Sequence, residues 1–181
     1  MTQLFDRLQG YFGERANDPE AKFPKLNRMV KSVRKAIAKE AIFLKNGAAI
    51  YLSTRTKAAK RGYTVDVVIV DESQALVDEH SKAIMPTKTA APKGNPQAIY
   101  LGTPPGPEYP GAAMAVMRRR ARSGADVDDL TWSEWGIEDL SLLDDRATWR
   151  RVNPSIGYQI SERSVETLRR EFTEDLSFAQ E

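Results

Sequence analysis

The fold that we predict for this chain of 181 residues depends above all on one segment, Val65-Asp66-Val67-Val68-Ile69-Val70-Asp71-Glu72. Up to Val70 its residues are β-branched almost without interruption, which is typical of a strand in the middle of a parallel sheet covered by helices. Two adjacent carboxylates follow where the strand ends. Ligands of open α/β sheets bind beyond the carboxyl ends of the strands, so Asp71 and Glu72 are the first candidate site residues.

The remaining patterns predict helices that alternate with strands, and therefore an α/β domain. Before the decisive strand we expect helices over residues 2–12 and 25–37, and a hairpin with strands 41–44 and 48–53 around Asn46-Gly47. After it we expect helices over 74–85, 112–122 and 144–151, and strands over 97–102 and 128–135. A last helix, capped by Ser161, has the apolar stripe Val165, Leu168 and Phe172.

A strand that delivers an Asp-Glu pair to a sheet edge matches the Walker B arrangement of nucleotide hydrolases. There Asp71 would help to hold Mg²⁺, usually through water, because Mg²⁺ keeps several of its waters. Glu72 would polarise and orient the water that attacks the γ-phosphate. The same pattern also fits a strand that simply leaves the sheet into solvent, and the motif alone does not separate the two interpretations.

Two further residues are candidates for the same chemistry. Thr103 follows the strand over 97–102, where its hydroxyl could sense the γ-phosphate; the alternative is an ordinary Thr-Pro turn. Arg61 lies 11 positions before Glu72 and could act as an arginine finger on the phosphate of a neighbouring subunit; the alternative is ordinary surface charge.

Composition excludes several other classes of function. The chain has no cysteine, which excludes disulfides, zinc ribbons and thiol catalysis. Its one histidine, His80, argues against a histidine metal site or a Ser-His-Asp triad. The charged first residues do not resemble a signal peptide, and no apolar run reaches the length of a membrane span. We therefore expect a location in the reducing cytoplasm and no membrane partner.

The charges are distributed unevenly along the chain. Residues 1–62 hold 14 Lys/Arg and 5 Asp/Glu, a balance of +9, whereas the remaining 119 residues hold 13 basic and 20 acidic side chains, a balance of −7. Such an imbalance hints at a polyanion near the first third, although solvated amphipathic helices would give the same count. Two interpretations are likewise open for the run Arg118-Arg119-Arg120: it could contact DNA, or it could be a solvated helix face.

Five quoted pieces resemble, in their order, the ATPase domain of tailed-phage terminase large subunits. They are NGAAIYLSTRTKAAKRG (46–62), VDVVIVDESQAL (65–76), PQAIYLGTPP (96–105), LTWSEW (130–135) and TWRRVNPSIGYQIS (148–161), with a helix and FAQE (178–181) after them. The resemblance runs from about Ile42 to Glu181. Helicases of the DEAD type share the Walker B logic, but the WSEW and NPSIG segments do not suggest them.

The resemblance implies a fold and a function. The fold would be a partial P-loop NTPase (ASCE-type) parallel sheet flanked by helices, with residues 1–140 in the ATPase core and 141–181 in a helical segment leading towards the nuclease domain. The function would be ATP-driven translocation of double-stranded DNA into a procapsid in the cytoplasm of a bacterial host. It implies ATP and Mg²⁺ as cofactors, a ring of identical subunits on the portal protein, and a small terminase subunit as a partner.

By position, the resemblance makes Asp71 the Mg²⁺-linked acid and Glu72 the catalytic glutamate. It puts Thr103 at the coupling motif and makes Arg61 similar to the trans-acting finger.

The sequence departs from the family at two places. No G-x-x-x-x-G-K-[ST] loop is found, since no lysine followed by Ser or Thr opens a helix after Gly10 and Gly13, and no cluster of nuclease acids is found either. We therefore expect a sheet that lacks its P-loop strand, and negligible ATPase activity for the chain alone. An upstream polypeptide that carries the phosphate loop would then complete the enzyme. The alternatives are an inactive prophage remnant and a stand-alone DNA-binding module.

Overall fold

A computed structural model describes residues 2–37, 39–53, 64–76, 91–105, 111–124 and 127–172 of the protein. The chain divides into two units, Met1–Tyr63 and Thr64–Glu181, which are described separately below. Both helices and strands are present, so the predicted α/β class is confirmed at that level. The expected segments 1–140 and 141–181 refer to the organisation of a parent protein and stay a prediction.

The first unit is an antiparallel sheet with a helix packed on it. Helix α1 is Thr2–Phe12 and helix α2 is Pro24–Asn27, and the strands are β1 (Val30–Arg34), β2 (Ala41–Leu44) and β3 (Ala49–Tyr51), in the order β1-β2-β3. Its core consists of Phe5 from α1 with Val30, Ile42 and Leu52. The predicted first helix and the predicted hairpin are confirmed.

The helix predicted over residues 25–37 is wrong. Only Pro24–Asn27 is helical, and Val30–Arg34 pairs antiparallel with β2, with Val33 opposite Ile42. Val30 and Val33 are spaced as on a helix face, but they are β-branched and suit a strand equally well. Pairing with β2 buries Val30 and Ile42 completely, and this tertiary gain outweighs a weak helical pattern.

The second unit contains a parallel pair of strands, β4 (Val67–Val70) and β5 (Gln97–Tyr100). The Gln97 N–H donates to Asp66 O at 2.8 Å, and the Leu101 N–H donates to Val70 O at 2.9 Å. Both predicted strands are therefore confirmed, with shorter bounds. The predicted helix over 112–122 is also confirmed as α3 (Ala112–Ser123).

The two faces of this parallel sheet differ in how far their side chains are exposed to solvent. On one face Val70 and Leu76 are buried, and Val68, Tyr100 and Ala113 pack against them. On the other face Val67 is 46%, Ile69 64% and Ile99 42% exposed. The sequence predicted helical cover for both faces, and in the described part of the chain the second face is largely open.

A single turn of 3-10 helix, Ser73–Ala75, follows β4, and Leu76 is extended after it. The predicted helix over 74–85 therefore does not begin at Gln74, and its residues from 77 onward lie outside the described ranges.

The strand predicted over 128–135 is wrong. Val127–Asp129 is a 3-10 turn, and residues 130–137 belong to no strand or helix. The reason lies in the side chain of Glu134, which accepts hydrogen bonds from Arg118 and Arg122 on α3. Ionic contacts to a helix, rather than a β-ladder, hold this segment.

The last described part is a pair of helices, α4 (Arg146–Val152) and α5 (Glu162–Glu171). Asp145 caps α4 by accepting from the Ala147 and Thr148 N–H groups, so the helix begins two residues later than predicted. Ser161 caps α5 through a hydrogen bond from the Ser164 N–H at 3.1 Å, as predicted. The stripe Val165, Leu168 and Phe172 packs on buried Leu143 and Trp149, which confirms it as a core face.

Candidate functional site

The carboxyl ends of β4 and β5 meet at one edge of the parallel sheet. Val70 is the register partner of Tyr100, so the residues after both strands emerge side by side. The Ser73 N–H then donates to Leu101 O at 2.8 Å, which fastens the turn after β4 to the end of β5. Asp71 and Glu72 leave one strand at this edge, and Thr103 leaves the other.

The acidic pair is exposed and sits on an unusual backbone. Asp71, Glu72 and Thr103 are all exposed to solvent. The Glu72 N–H donates to Asp71 Oδ1 at 3.0 Å, and Glu72 has φ 51° and ψ 48°, in the left-handed region. For a residue with a Cβ this conformation costs about 1–2 kcal/mol, and such strain clusters at functional sites.

Two buried polar side chains lie directly behind the acidic pair. Ser73 is completely buried, and its Oγ has no hydrogen-bond partner among the described residues. Gln74 is 8% exposed; its Nε2 donates to Glu72 Oε2 at 2.5 Å, while its Oε1 finds no partner in the same part of the chain. Most buried polar atoms in proteins are hydrogen-bonded, so two unpaired oxygens side by side call for an explanation.

Gly102 makes this close arrangement possible. A Cβ at position 102 would lie 2.3 Å from Gln74 Oε1 and 3.0 Å from the Ser73 backbone nitrogen. The first distance is too short for any van der Waals contact and the second is tight, so only glycine fits at the end of β5 while Gln74 stays in place. A glycine at the end of a strand often marks such a close approach, and it was the available sequence signal for this feature.

The oxygen donors at this edge suit a magnesium ion that retains most of its waters. Asp71 and Glu72 offer exposed carboxylates, whereas the oxygens of Ser73 and Gln74 are buried behind them. Oxygen ligands of this kind suit Mg²⁺, which proteins bind through one or two carboxylates plus water and phosphate. Across the described ranges no group of three or more His, Cys, Asp or Glu forms a metal cage, so direct coordination by many side chains is not indicated.

Of the other residues singled out in the sequence, Arg61 lies outside the described part of the chain. Three arginines of α3, namely Arg118, Arg120 and Arg122, contact acidic side chains. Arg118 donates to both oxygens of Glu134 and to Glu138, Arg122 donates to Glu138, and Arg120 lies 3.7 Å from Asp129. This supports the interpretation of α3 as a solvated, ion-paired face.

Sequence reasoning missed Ser73, Gln74 and Gly102 as parts of the site. Ser73 and Gln74 carry no apolar periodicity, and the helix predicted over 74–85 assigned Gln74 to a regular turn. Their burial depends on the hydrogen bond from Ser73 to Leu101, a contact over 28 residues that no local pattern reveals.

No family model matches the chain, and neither the curated proteins nor the solved structures give a match. No described helix has the length and apolar character that crossing a membrane requires. A proposal about function therefore rests on the residues of the site and on the order of the sequence pieces.

Proposed function

We propose that the chain carries the acidic part of an ATP-hydrolysing site, in a partial P-loop NTPase sheet, and that it belongs to the DNA-packaging ATPase of a phage terminase large subunit. The observation that carries the proposal is the parallel register of Val70 with Tyr100. This register brings the Asp71-Glu72 pair and Thr103 to one edge of a sheet, where α/β proteins bind their ligands.

Each residue has a separate role in the proposed chemistry. Asp71 would help to hold Mg²⁺, and Glu72 would orient the attacking water and accept its proton. The Thr103 hydroxyl, at the end of the neighbouring strand, contacts the γ-phosphate and passes its loss to the rest of the chain. Arg61 serves a neighbouring subunit as an arginine finger. Bound Mg²⁺ would supply neutralisation of phosphate charge.

The phosphates themselves need donors that these residues do not provide. Asp71 and Glu72 repel phosphate, so backbone N–H groups and a lysine of a phosphate loop would come from another segment. The largely open face of the sheet supports such a segment, since Val67, Ile69 and Ile99 present apolar surface to solvent. We assign this surface to the polypeptide that carries the phosphate loop.

The complete motor would act on double-stranded DNA as a ring of identical subunits, with the portal protein and the small terminase subunit as partners, in the cytoplasm of a bacterial host. This part of the proposal follows from the order of the five sequence pieces quoted above.

A second candidate function is DNA binding by the chain itself, and one observation favours it. The cationic side chains of the first unit include several that are exposed, namely Lys22, Lys25, Arg28, Lys31, Lys35, Lys39 and Lys45. Binding through phosphate contacts would weaken steeply as salt rises. DNA affinity that is absent, or that does not change with salt, would remove this candidate.

The test of the main proposal is ATP turnover with Mg²⁺ and DNA, for the full chain alone and mixed with a polypeptide carrying a strand and phosphate loop encoded upstream. We expect turnover only in the mixture, and loss of that turnover in Glu72→Ala. Glu171→Ala, which removes an exposed carboxylate at the end of α5, is the matched control and should leave turnover intact.

Two other outcomes would contradict parts of the proposal. If no preparation hydrolyses ATP, the chain is an inactive remnant and the enzymatic function is rejected. If the chain hydrolyses ATP alone, the expectation that it needs an external phosphate loop is wrong.

A further inference from the structure

We propose that Gln74 is a positioning residue for the Glu72 carboxylate, and that Gly102 provides the slot that keeps the Gln74 amide in place. This inference rests on the proposed function, because it assigns Glu72 a water to orient. It adds two residues to the site that the sequence motif does not contain.

The first observation is the contact itself. Gln74 Nε2 donates to Glu72 Oε2 at 2.5 Å, and the Gln74 side chain is more than nine-tenths buried. Glu72 is exposed at the sheet edge, where a carboxylate on a long side chain samples many rotamers. A hydrogen bond from a buried amide restricts the Glu72 carboxylate to a small region. The carboxylate then loses less conformational entropy when it orients a water for the reaction.

The second observation is the slot that holds the amide. Gln74 Oε1 is buried, has no partner within the described ranges, and lies 2.3 Å from the position that a Cβ of residue 102 would take. The amide therefore lies between the Glu72 carboxylate on one side and the backbone at the end of β5 on the other. Leaving its carbonyl unpaired costs free energy, which is reasonable only if the amide is needed in this place.

A mechanical consequence follows from this placement. Thr103 directly follows Gly102, so a movement of Thr103 towards or away from a phosphate changes the slot that holds Gln74. The Gln74 amide then transmits that movement to Glu72. The orientation of the glutamate is in this way linked to Thr103 through the peptide bond to Gly102, the close approach of Gly102 to the Gln74 amide, and the hydrogen bond from Gln74 to Glu72.

The contact can be tested on the full chain without any activity. In a ¹⁵N-labelled sample, the side-chain amide resonance of Gln74 should shift in Glu72→Ala and stay unchanged in Glu171→Ala. If the Gln74 amide does not respond to Glu72→Ala, the inference is overturned, whatever the enzyme does.

The catalytic consequence is tested in the reconstituted mixture. Gln74→Leu keeps the volume and removes the amide, and we expect kcat to fall about 10- to 100-fold with KM for ATP within about twofold, as for a misplaced catalytic group. Gly102→Ala should have the same effect, because its methyl group displaces the amide. Gln159→Leu, the same change at an exposed position between α4 and α5, is the control and should leave both constants unchanged.

The possible results separate this inference from the proposed function. Loss of kcat in Gln74→Leu and Gly102→Ala supports it, since a merely unfolded variant would lose the amide resonances of β4 and β5 as well. Unchanged kcat in both variants overturns it while the proposed function stands. If the wild-type mixture shows no turnover, the proposed function fails and the catalytic role of Gln74 fails with it.

Discussion

Arg118 binds both carboxylate oxygens of Glu134, with its Nε 3.1 and 2.8 Å from them and its Nη2 2.6 Å from Oε1. The same carboxylate accepts from Trp132 Nε1 at 2.6 Å and from Arg122 Nη2 at 3.1 Å. The hydrogen bond from Arg118 is the main reason that the pKa of Glu134 falls from 4.5 to about 2. One carboxylate therefore fastens an irregular segment to α3.

We expect this pair to stabilise the second unit in a pH-dependent way. Because the pKa of Glu134 is lower in the folded state, its contribution is complete above pH 4.5 and is lost as the pH falls towards 2. Glu134→Gln should lower the thermal midpoint at neutral pH and have little effect near pH 2, as followed by tryptophan fluorescence. The pair is partly exposed, so about 1 M salt should reduce the difference.

The control for this prediction is Glu171→Gln, which should show no such dependence on pH. An equal loss of midpoint in Glu134→Gln at neutral and at acid pH would mean that packing of the side chain, and not its charge, holds the segment.

Asn27 should be among the most sensitive polar positions of the first unit. It is 3% exposed; its Nδ2 donates to Phe12 O at 2.8 Å and Arg15 O at 2.7 Å, and its Oδ1 accepts from the Asp18 N–H at 2.8 Å. Asn27→Ala removes all three bonds and leaves the backbone groups unpaired, so we expect a loss of about 3 kcal/mol in the free energy of unfolding.

Tryptophan fluorescence does not report on the first unit, because all three tryptophans, at positions 132, 135 and 149, lie in the second. The suitable measurement is therefore hydrogen exchange of the β2 amides. Asn46→Ala is the control: Asn46 Oδ1 accepts one exposed bond, from the Ala48 N–H at 3.0 Å, and its loss should cost less than about 1 kcal/mol. Equal protection in the two variants would contradict the role of Asn27.

Neighbouring residues of β4 should respond differently to the same substitution. Val70→Thr puts a hydroxyl into a site that is 4% exposed, and we expect it to lower the free energy of unfolding by about 1–3 kcal/mol. Ile69→Thr keeps a β-branched residue at a site that is 64% exposed, and it should cost less than about 0.5 kcal/mol in the chain alone. Urea unfolding of the second unit measures both.

The Ile69→Thr variant also tests the surface assigned to the polypeptide with the phosphate loop. If that polypeptide packs on the open face, Ile69→Thr should weaken its binding although the chain itself is as stable as the wild type. Unchanged binding, measured by calorimetry, would place the partner elsewhere.

The cap of α5 offers a smaller effect. Ser161 Oγ accepts from the Ser164 N–H, and Ser161→Ala should cost about 1 kcal/mol. Thr167→Ala, inside the same helix, is the control: its hydroxyl bonds back to Arg163 O, a contact that does little for a helix, so stability should hardly change. Similar losses in both variants would mean that the cap contributes nothing specific.

Local sequence patterns predicted most of the helices and strands. They failed where contacts between residues distant in sequence determine the secondary structure. The hairpin and both parallel strands could be predicted, since a turn such as Asn46-Gly47 and a β-branched run act locally. Residues 30–34 could not, because their spacing fits a helix and only the pairing with β2 makes them a strand. Residues 128–135 failed for a related reason, since Arg118 lies 16 positions before the glutamate that it binds.

The same division applies to the site. Asp71, Glu72 and Thr103 follow strands whose end points a sequence reveals. Gln74 and Gly102 could not be assigned to the site in this way. Their proposed roles depend on a close approach between two residues that lie 28 positions apart in the sequence.

The left-handed backbone at Glu72 sets the stability of the chain against its proposed chemistry at a single position. Glu72→Ala and Glu72→Gly delete the same carboxylate, but glycine adopts φ 51° without strain and alanine does not. The glycine variant should therefore be the more stable of the two, and selection for stability alone would favour a residue that has no carboxylate to offer. Selecting variants of this chain for a higher melting temperature will therefore tend to remove the carboxylate on which its proposed chemistry depends.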